Sequence, residues 1–259
     1  MSAFVEITPH GNIAEVTLNR PEAYNAFDLE ALKELARNLT SLASDQQVRG
    51  IVLTGRGPAF CAGGDLKFAV RFPGGAAAAF HAMAAQFHLA ILEIRQMPKP
   101  VIAALNGVAA GGGFSLALAC DLRVMARSAK MIQAYTSAGL CIDGGGTFTL
   151  PRLVGLARAL EIAAFDKPIT SEKALNWGLV TKVVQDGDAS PEALDMARQL
   201  AERSLHAYGR CKKLLTDSFN TSLASQMELE REGLGACADH PDGQEGLKAF
   251  NARKKPKFT

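Results

Sequence analysis

Cysteine pairs with metal-site spacing are missing from this sequence. Cys61, Cys120, Cys141, Cys211 and Cys237 are odd in number and widely spaced, with no Cys-x-x-Cys among them. That removes a disulfide framework and a zinc site from the readings, so no metal is expected and a reducing, cytoplasmic compartment is. An excess of one charge is missing too: 28 Lys and Arg stand against 26 Asp and Glu. A net charge of +2 gives no electrostatic case for nucleic acid or an anionic membrane surface. The stretch Met1–Glu6 lacks the basic start and long apolar run of a secretion signal. Charge is absent altogether between Lys99 and Asp121, which raises a membrane span. Four glycines, Asn106 and Ser115 within it favour a strand and helix buried in a globular core.

What is present fits that core, with 48% hydrophobic and 21% charged residues in a chain long enough for one large domain or two small ones. Ile13–Asn19 alternates as a strand does, with Val5–Thr8 as its partner. Asp28 is suited to cap a helix whose Leu29, Leu32, Leu35, Leu39 and Leu42 fall at helical spacing. Gly50–Thr54 predicts a buried strand, Gly55–Leu66 a glycine-rich loop, and Ala76–Arg95 a helix carrying His81 and His88. Val101–Leu105 predicts another strand, and the helix-like run Phe114–Cys120 follows three glycines. Leu122–Ala126 and Met131–Ala134 predict two more strands. Alternating strands and helices argue for an α/β core. After Gly144–Gly146 the pattern is helical: Leu150–Ala164, Ser171–Trp177, Pro191–Ser204, His206–Phe219, Leu223–Ala238 and Pro241–Ala249. The division expected is 1–190 as the core and 191–259 as a helical packing or assembly region. The ending Arg253–Lys257 carries four positive charges and reads as a solvated terminus.

Two glycine-rich loops each follow a strand, and each offers a backbone N–H, from Ala62 and from Gly112. One donor polarises a carbonyl; two preorganised donors can hold an enolate oxygen. Glycine clusters alone also signify tight packing.

The ordered motifs resemble the crotonase (enoyl-CoA hydratase/isomerase) superfamily. They are Leu18-Asn19-Arg20-Pro21 with Asn25-Ala26, then Ala59–Leu66, then Lys99–Gly107 with Gly111–Gly113, and Ala174–Val180. The resemblance spans nearly the whole chain. It implies an α/β fold that spirals through repeated strand–strand–helix units and ends in a helical trimerisation region. It also implies an acyl-CoA thioester substrate, no cofactor beyond that CoA moiety, and a homotrimer or dimer of trimers without nucleic acid or membrane. By the same resemblance Ala62 and Gly112 supply the oxyanion donors. The backbone around Ala23, Asn25 and Ala62, Gly63, Gly64, Asp65 and Leu66 holds the CoA nucleotide.

Departures from the family pattern direct the functional reading. The family's hydratases place one catalytic Glu two residues after the third glycine and another twenty residues later. Those positions here hold Ser115 and Tyr135. Hydration needs two carboxylates to hold and activate a water, so a plain enoyl-CoA hydratase is disfavoured. Asp143 follows eight residues after Tyr135. An Asp before three glycines is by itself a turn or cap residue. In the superfamily an acid near this place is found in dienoyl-CoA isomerases, ring-epoxide isomerases and the aryl-CoA dehalogenase. Gly144–Leu153 with Arg152 and Gly155, and the ending Asp242, Glu245-Gly246 and Phe250, look most like the epoxide-isomerase group.

The expectation is therefore an acyl-CoA isomerase in which Asp143 shuttles a proton. Tyr135 is left between donating to substrate and lining the pocket. His88 lies near the dehalogenase's histidine, although a lone histidine on a helix is ordinarily a packed or exposed residue. The alternatives are an enoyl-CoA hydratase-like lyase, or a dehalogenase or hydrolase that forms an aspartyl ester at Asp143 assisted by His88. A non-catalytic RNA-binding homologue is a distant one, because the first helix carries only Lys33 and Arg37 without interleaved aromatics.

Overall fold

A computed structural model describes residues 3–258; Met1, Ser2 and Thr259 lie outside it, and with them part of the N-terminal stretch read above and the chain's last residue. The chain opens with β1 (Val5–His10), β2 (Ile13–Leu18), α1 (Leu29–Ser44), β3 (Gly50–Gly55) and β4 (Ala59–Cys61). It continues through α2 (Leu66–Arg71), α3 (Gly75–Gln96), β5 (Val101–Leu105), β6 (Val108–Ala110) and α4 (Gly112–Ala119). Next come β7 (Leu122–Ala126), β8 (Lys130–Ile132), α5 (Gly146–Val154), α6 (Leu156–Phe165) and β9 (Ile169–Thr170). The last elements are α7 (Ser171–Asn176), β10 (Lys182–Val184), α8 (Ala189–Ala201), α9 (Leu205–Asp217), α10 (Leu223–Asp239) and α11 (Pro241–Asn251).

Two sheets result, one ordered β1-β2-β3-β5-β7-β10 and the other β4-β6-β8-β9. Each of β3–β4, β5–β6 and β7–β8 sends its first strand to the larger sheet and its second to the smaller, then a helix follows. Successive units add parallel strands side by side, which is the spiral of strand–strand–helix turns expected. The central strands β3 and β5 are buried at every position, as parallel strands covered on both faces must be. Sequence inspection takes β4 and β6 for loop because three-residue strands give too few positions for a period to show.

Asp28 does cap α1, accepting from the Ala31 N–H at 2.9 Å, and Leu32, Leu35, Leu39 and Leu42 form the buried stripe. Leu150–Ala164 is not one helix. Gly155, with φ of 77°, ends α5 and starts α6. The cap of α7 is Thr170, whose side chain accepts from the Lys173 N–H, and the Ser171 hydroxyl bonds the Arg127 carbonyl. Of the described helices, α3 is the one long and apolar enough to cross a membrane. Here it packs along α1 and buries Ala79, Met83, Phe87, Ala90, Ile91 and Ile94.

The division at residue 190 needs correction. Helix α8 lies across β2, β3, β5 and β7 and buries Ala193, Leu194, Ala197 and Ala201, so it covers the large sheet and belongs to the core. Beyond α8 the character changes: Leu215, Phe219, Leu223, Leu234, Leu247 and Phe250 all stand exposed.

Candidate active site

Both ends of the charge-free stretch are clamped, which fixes where the three glycines sit. Lys99 Nζ donates to the Leu42 carbonyl at 2.6 Å and to that of Asp45 at 2.5 Å. Asp121 Oδ2 accepts from the Val101 N–H and from Lys212 Nζ, at 2.9 and 2.8 Å. Burial holds both ammonium groups below their ordinary range, and each is satisfied by carbonyls or a carboxylate. Between these anchors β5 and β6 deliver the start of α4 to the molecule's interior, where Gly112–Ala119 are all buried.

The second glycine loop comes up against this helix start. A Cβ on Gly63 would lie 2.7 Å from the Gly112 nitrogen, and one on Gly113 would lie 2.1 Å from the Cys61 carbonyl oxygen. Only glycine permits that approach. Phe27 forms a parallel bridge with Gly64: its N–H bonds the Gly63 carbonyl at 2.7 Å and its carbonyl accepts the Asp65 N–H at 2.6 Å. In a parallel bridge the flanking residues make the bonds, so the N–H of Gly64 points away from Phe27. It donates to no group among the described residues, and neither does that of Gly112, the first residue of α4.

Ala62 is a different matter. Its N–H donates to the Tyr24 carbonyl at 2.9 Å, so it is committed to the fold and not free to polarise a substrate. The expectation that Ala62 offers a free N–H is thereby corrected: in that loop the unbonded N–H belongs to Gly64. Strand alternation decides which N–H of a glycine loop faces inward, and the bridge to Phe27 is invisible in the sequence.

Gly64 and Gly112 both line a cavity of about 210 Å³. Its walls include Phe27, Leu32, Phe80, Met83, Phe87 and Leu140, with Asp143 as the one charged residue among those lining it. Phe27 and Phe87 meet at 5.4 Å between ring centres. Phe87 is packed so closely on Gly144 (φ of 59°) that a Cβ there would fall 2.2 Å from its ring. The wall contributed by α3 consists of residues 80, 83, 84 and 87, which have the spacing of one helical face.

Asp143 does not cap a helix. Gly145 occupies the cap position of α5 with no side-chain bond, and the Asp143 carboxylate instead accepts the Tyr135 hydroxyl at 2.5 Å. Ser115 Oγ lies 3.4 Å from the same phenol oxygen. Of the two roles left open for Tyr135, it lines the cavity, and its O–H is given to Asp143 and not held out to a ligand. Burial and the neighbouring carboxylate push the phenol well above its usual range, so it stays protonated. His88 is exposed on α3 and absent from the lining, while Phe87 beside it points inward. The expected helper role for His88 is overturned by the 100° turn between successive helical residues.

The expected nucleotide-binding segment divides in the same way. Ala62, Gly64 and Leu66 line the cavity mouth, with Leu66 exposed. Ala23 is half-buried in the short turn Pro21–Ala23. Asn25 is fully buried with φ of 58°, and its side-chain amide donates to the carbonyls of Arg56, Ala59 and Phe60. Its Oδ1 accepts the Arg20 N–H, so the side chain has nothing left for a ligand. Asp65 caps α2 through the Phe68 N–H and pairs with Arg20 at 2.9 Å. Burial raises its carboxyl, but these partners outweigh that and hold it below its usual range. Replacing Asn25 with Ala takes the amide donor from the carbonyls of Arg56, Ala59 and Phe60, of which that of Ala59 still accepts from Asn106. It is expected to cost about 2–4 kcal/mol of stability, read as a lowered urea midpoint at unchanged slope.

Two opposed loops with free N–H groups over an apolar pocket are what a thioester oxygen requires. The chain belongs to the enoyl-CoA hydratase/isomerase family, which it matches over residues 8–259. It is thus a crotonase-superfamily, acyl-CoA-processing enzyme. Among its relatives, it is 36% identical to 1,2-epoxyphenylacetyl-CoA isomerase of Escherichia coli strain K12, over 100% of this chain and 99% of that protein. It is 34% identical to 4-chlorobenzoyl coenzyme A dehalogenase-2 of an Arthrobacter species, over 93% and 88% of the two chains. The solved enoyl-CoA hydratase from Polaromonas sp. JS666 superposes with a TM-score of 0.91 at 36% identity, over 98% and 99% of the two chains.

Proposed function

We propose that this protein is an acyl-CoA isomerase acting on an enoyl- or aryl-acetyl-CoA thioester, moving a double bond or rearranging a ring epoxide. One observation carries the reading: Asp143 is the one charged residue lining an apolar cavity that is also lined by Gly64 and Gly112, whose N–H groups have no partner among the described residues. The α-proton of a thioester becomes acidic when the charge left behind can settle on the carbonyl oxygen. Two aligned N–H donors stabilise that oxyanion in a site with few competing dipoles. Asp143 takes the proton and, in an enoyl substrate, returns it to the γ-carbon, so the double bond shifts and the carboxylate is regenerated. No second carboxylate lines the cavity to hold and activate a water, which favours proton transfer over hydration. The isomerase among the relatives supports the same choice.

The dehalogenase relative favours a second reading, attack by Asp143 itself to form an aspartyl ester. Turnover in water enriched in heavy oxygen separates the two. Isomerisation leaves the Asp143 carboxylate unlabelled over many cycles, whereas hydrolysis of an aspartyl ester writes the label into it, read by peptide mass spectrometry.

The exposed apolar residues of α9–α11 support assembly as a homotrimer or a dimer of trimers. Light scattering is expected to give a multiple of three times 27.5 kDa; a monomer mass at micromolar concentration would refute this.

A further inference from the structure

We propose that Tyr135 is a positioning residue for Asp143, fixing one carboxylate oxygen so that the other is presented to the acyl group. The inference rests on the reading of Asp143 as the proton-carrying group. Asp143 sits in the segment before α5, outside any helix or strand, and its side chain is tied down by the single Tyr135 bond at 2.5 Å. Tyr135, by contrast, is only 9% exposed. It precedes the turn Thr136–Ala138 just after β8, and its N–H is held by Gln133 Oε1 at 3.2 Å. The Asp143 backbone N–H and Ser115 Oγ close in on the phenol oxygen from other sides.

A buried donor therefore anchors a carboxylate whose side chain has this one bond among the described residues, while the Asp143 backbone is itself held by the Gly146 N–H on its carbonyl at 3.0 Å. Among the residues lining the cavity only Tyr135 and Asp143 are titratable. Because the phenol keeps its proton, it cannot serve as the base itself, and its effect on chemistry must pass through Asp143. A carboxylate that loses its anchor samples more rotamers and spends less time in line with the reacting carbon. Binding of the acyl chain is left to apolar walls that Tyr135→Phe preserves.

The test uses the full protein and phenylacetyl-CoA, whose α-proton exchange in deuterated water is followed by mass spectrometry while calorimetry gives Kd. Tyr135→Phe is expected to slow exchange about tenfold, the scale of one hydrogen bond to a charged group, with Kd changed less than twofold. Unchanged exchange, or a loss explained entirely by weaker binding, overturns the inference. Asp143→Asn measured alongside keeps the two ideas apart. If it exchanges at the wild-type rate, or if the wild-type protein exchanges no proton, the reading of Asp143 falls and this inference with it. If Asp143→Asn is silent and Tyr135→Phe is normal, only the positioning role falls.

Discussion

Asp143→Asn is expected to lower turnover on the order of a hundredfold or more, the usual scale for loss of a general base. Asparagine has nearly the shape of aspartate and its Oδ1 can still accept the Tyr135 hydroxyl, so the pocket wall stays in place. The cavity is otherwise lined by apolar side chains and backbone, and acyl-CoA affinity is therefore expected to survive. What the amide cannot do is accept the α-proton and return it. Steady-state kcat and Kd measured on the same acyl-CoA check both halves of the expectation. Normal turnover in this variant would show that Asp143 only shapes the wall. The search for the base would then leave this cavity, since Tyr135 keeps its proton and His88 is on the outer side of α3.

Gly112→Pro carries the second large effect. Proline has no N–H, so one of the two donors proposed for the thioester oxygen is deleted, at an expected cost of about 10²–10³ in kcat. The substitution also adds bulk: a Cβ at this position would stand 3.2 Å from the Phe27 ring. Gly112→Ala brings the same Cβ and keeps the N–H, so it controls for crowding at Cβ, where the Phe27 ring is nearest. Proline is acceptable at the first position of a helix, where the N–H makes no helical bond. The expectation is that Ala loses little kcat and Pro loses nearly all, with both retaining cooperative thermal unfolding. Equal kcat for the two would refute the oxyanion role of Gly112.

Local chemistry made much of the fold legible. Asp28 followed by leucines at helical spacing forms a capped, one-faced helix wherever it packs. The unbroken apolar runs Gly50–Thr54 and Val101–Leu105 are central parallel strands because nothing in them tolerates water. Asp143 was legible as a candidate because Ser115 and Tyr135 stand where the family resemblance leads carboxylates to be expected, and the paired glycine loops were legible as places where backbone approaches closely. The helix and strand signals are residue types whose preference is met by immediate neighbours, whereas the site candidates come from the resemblance to the family.

The individual assignments within the site were settled by partners far away in sequence. Ala62 and Gly64 are two residues apart in one loop, and only the bridge to Phe27 and the Tyr24 carbonyl decide which N–H is spent and which is free. Asn25 reads as a ligand-binding residue until three carbonyls from Arg56 to Phe60 are seen to consume its amide. His88 and Phe87 are adjacent, and the side of α3 that meets α1 and the cavity determines which of them faces the substrate. Asp143 could have capped α5; the burial of Tyr135 eight residues earlier gives its carboxylate a better donor. Sequence determined which groups this protein has to spend, because residue chemistry and local period are properties of the chain itself. Tertiary structure decided where they are spent, because a buried donor or acceptor must find a partner in space and the competing partners come from different elements.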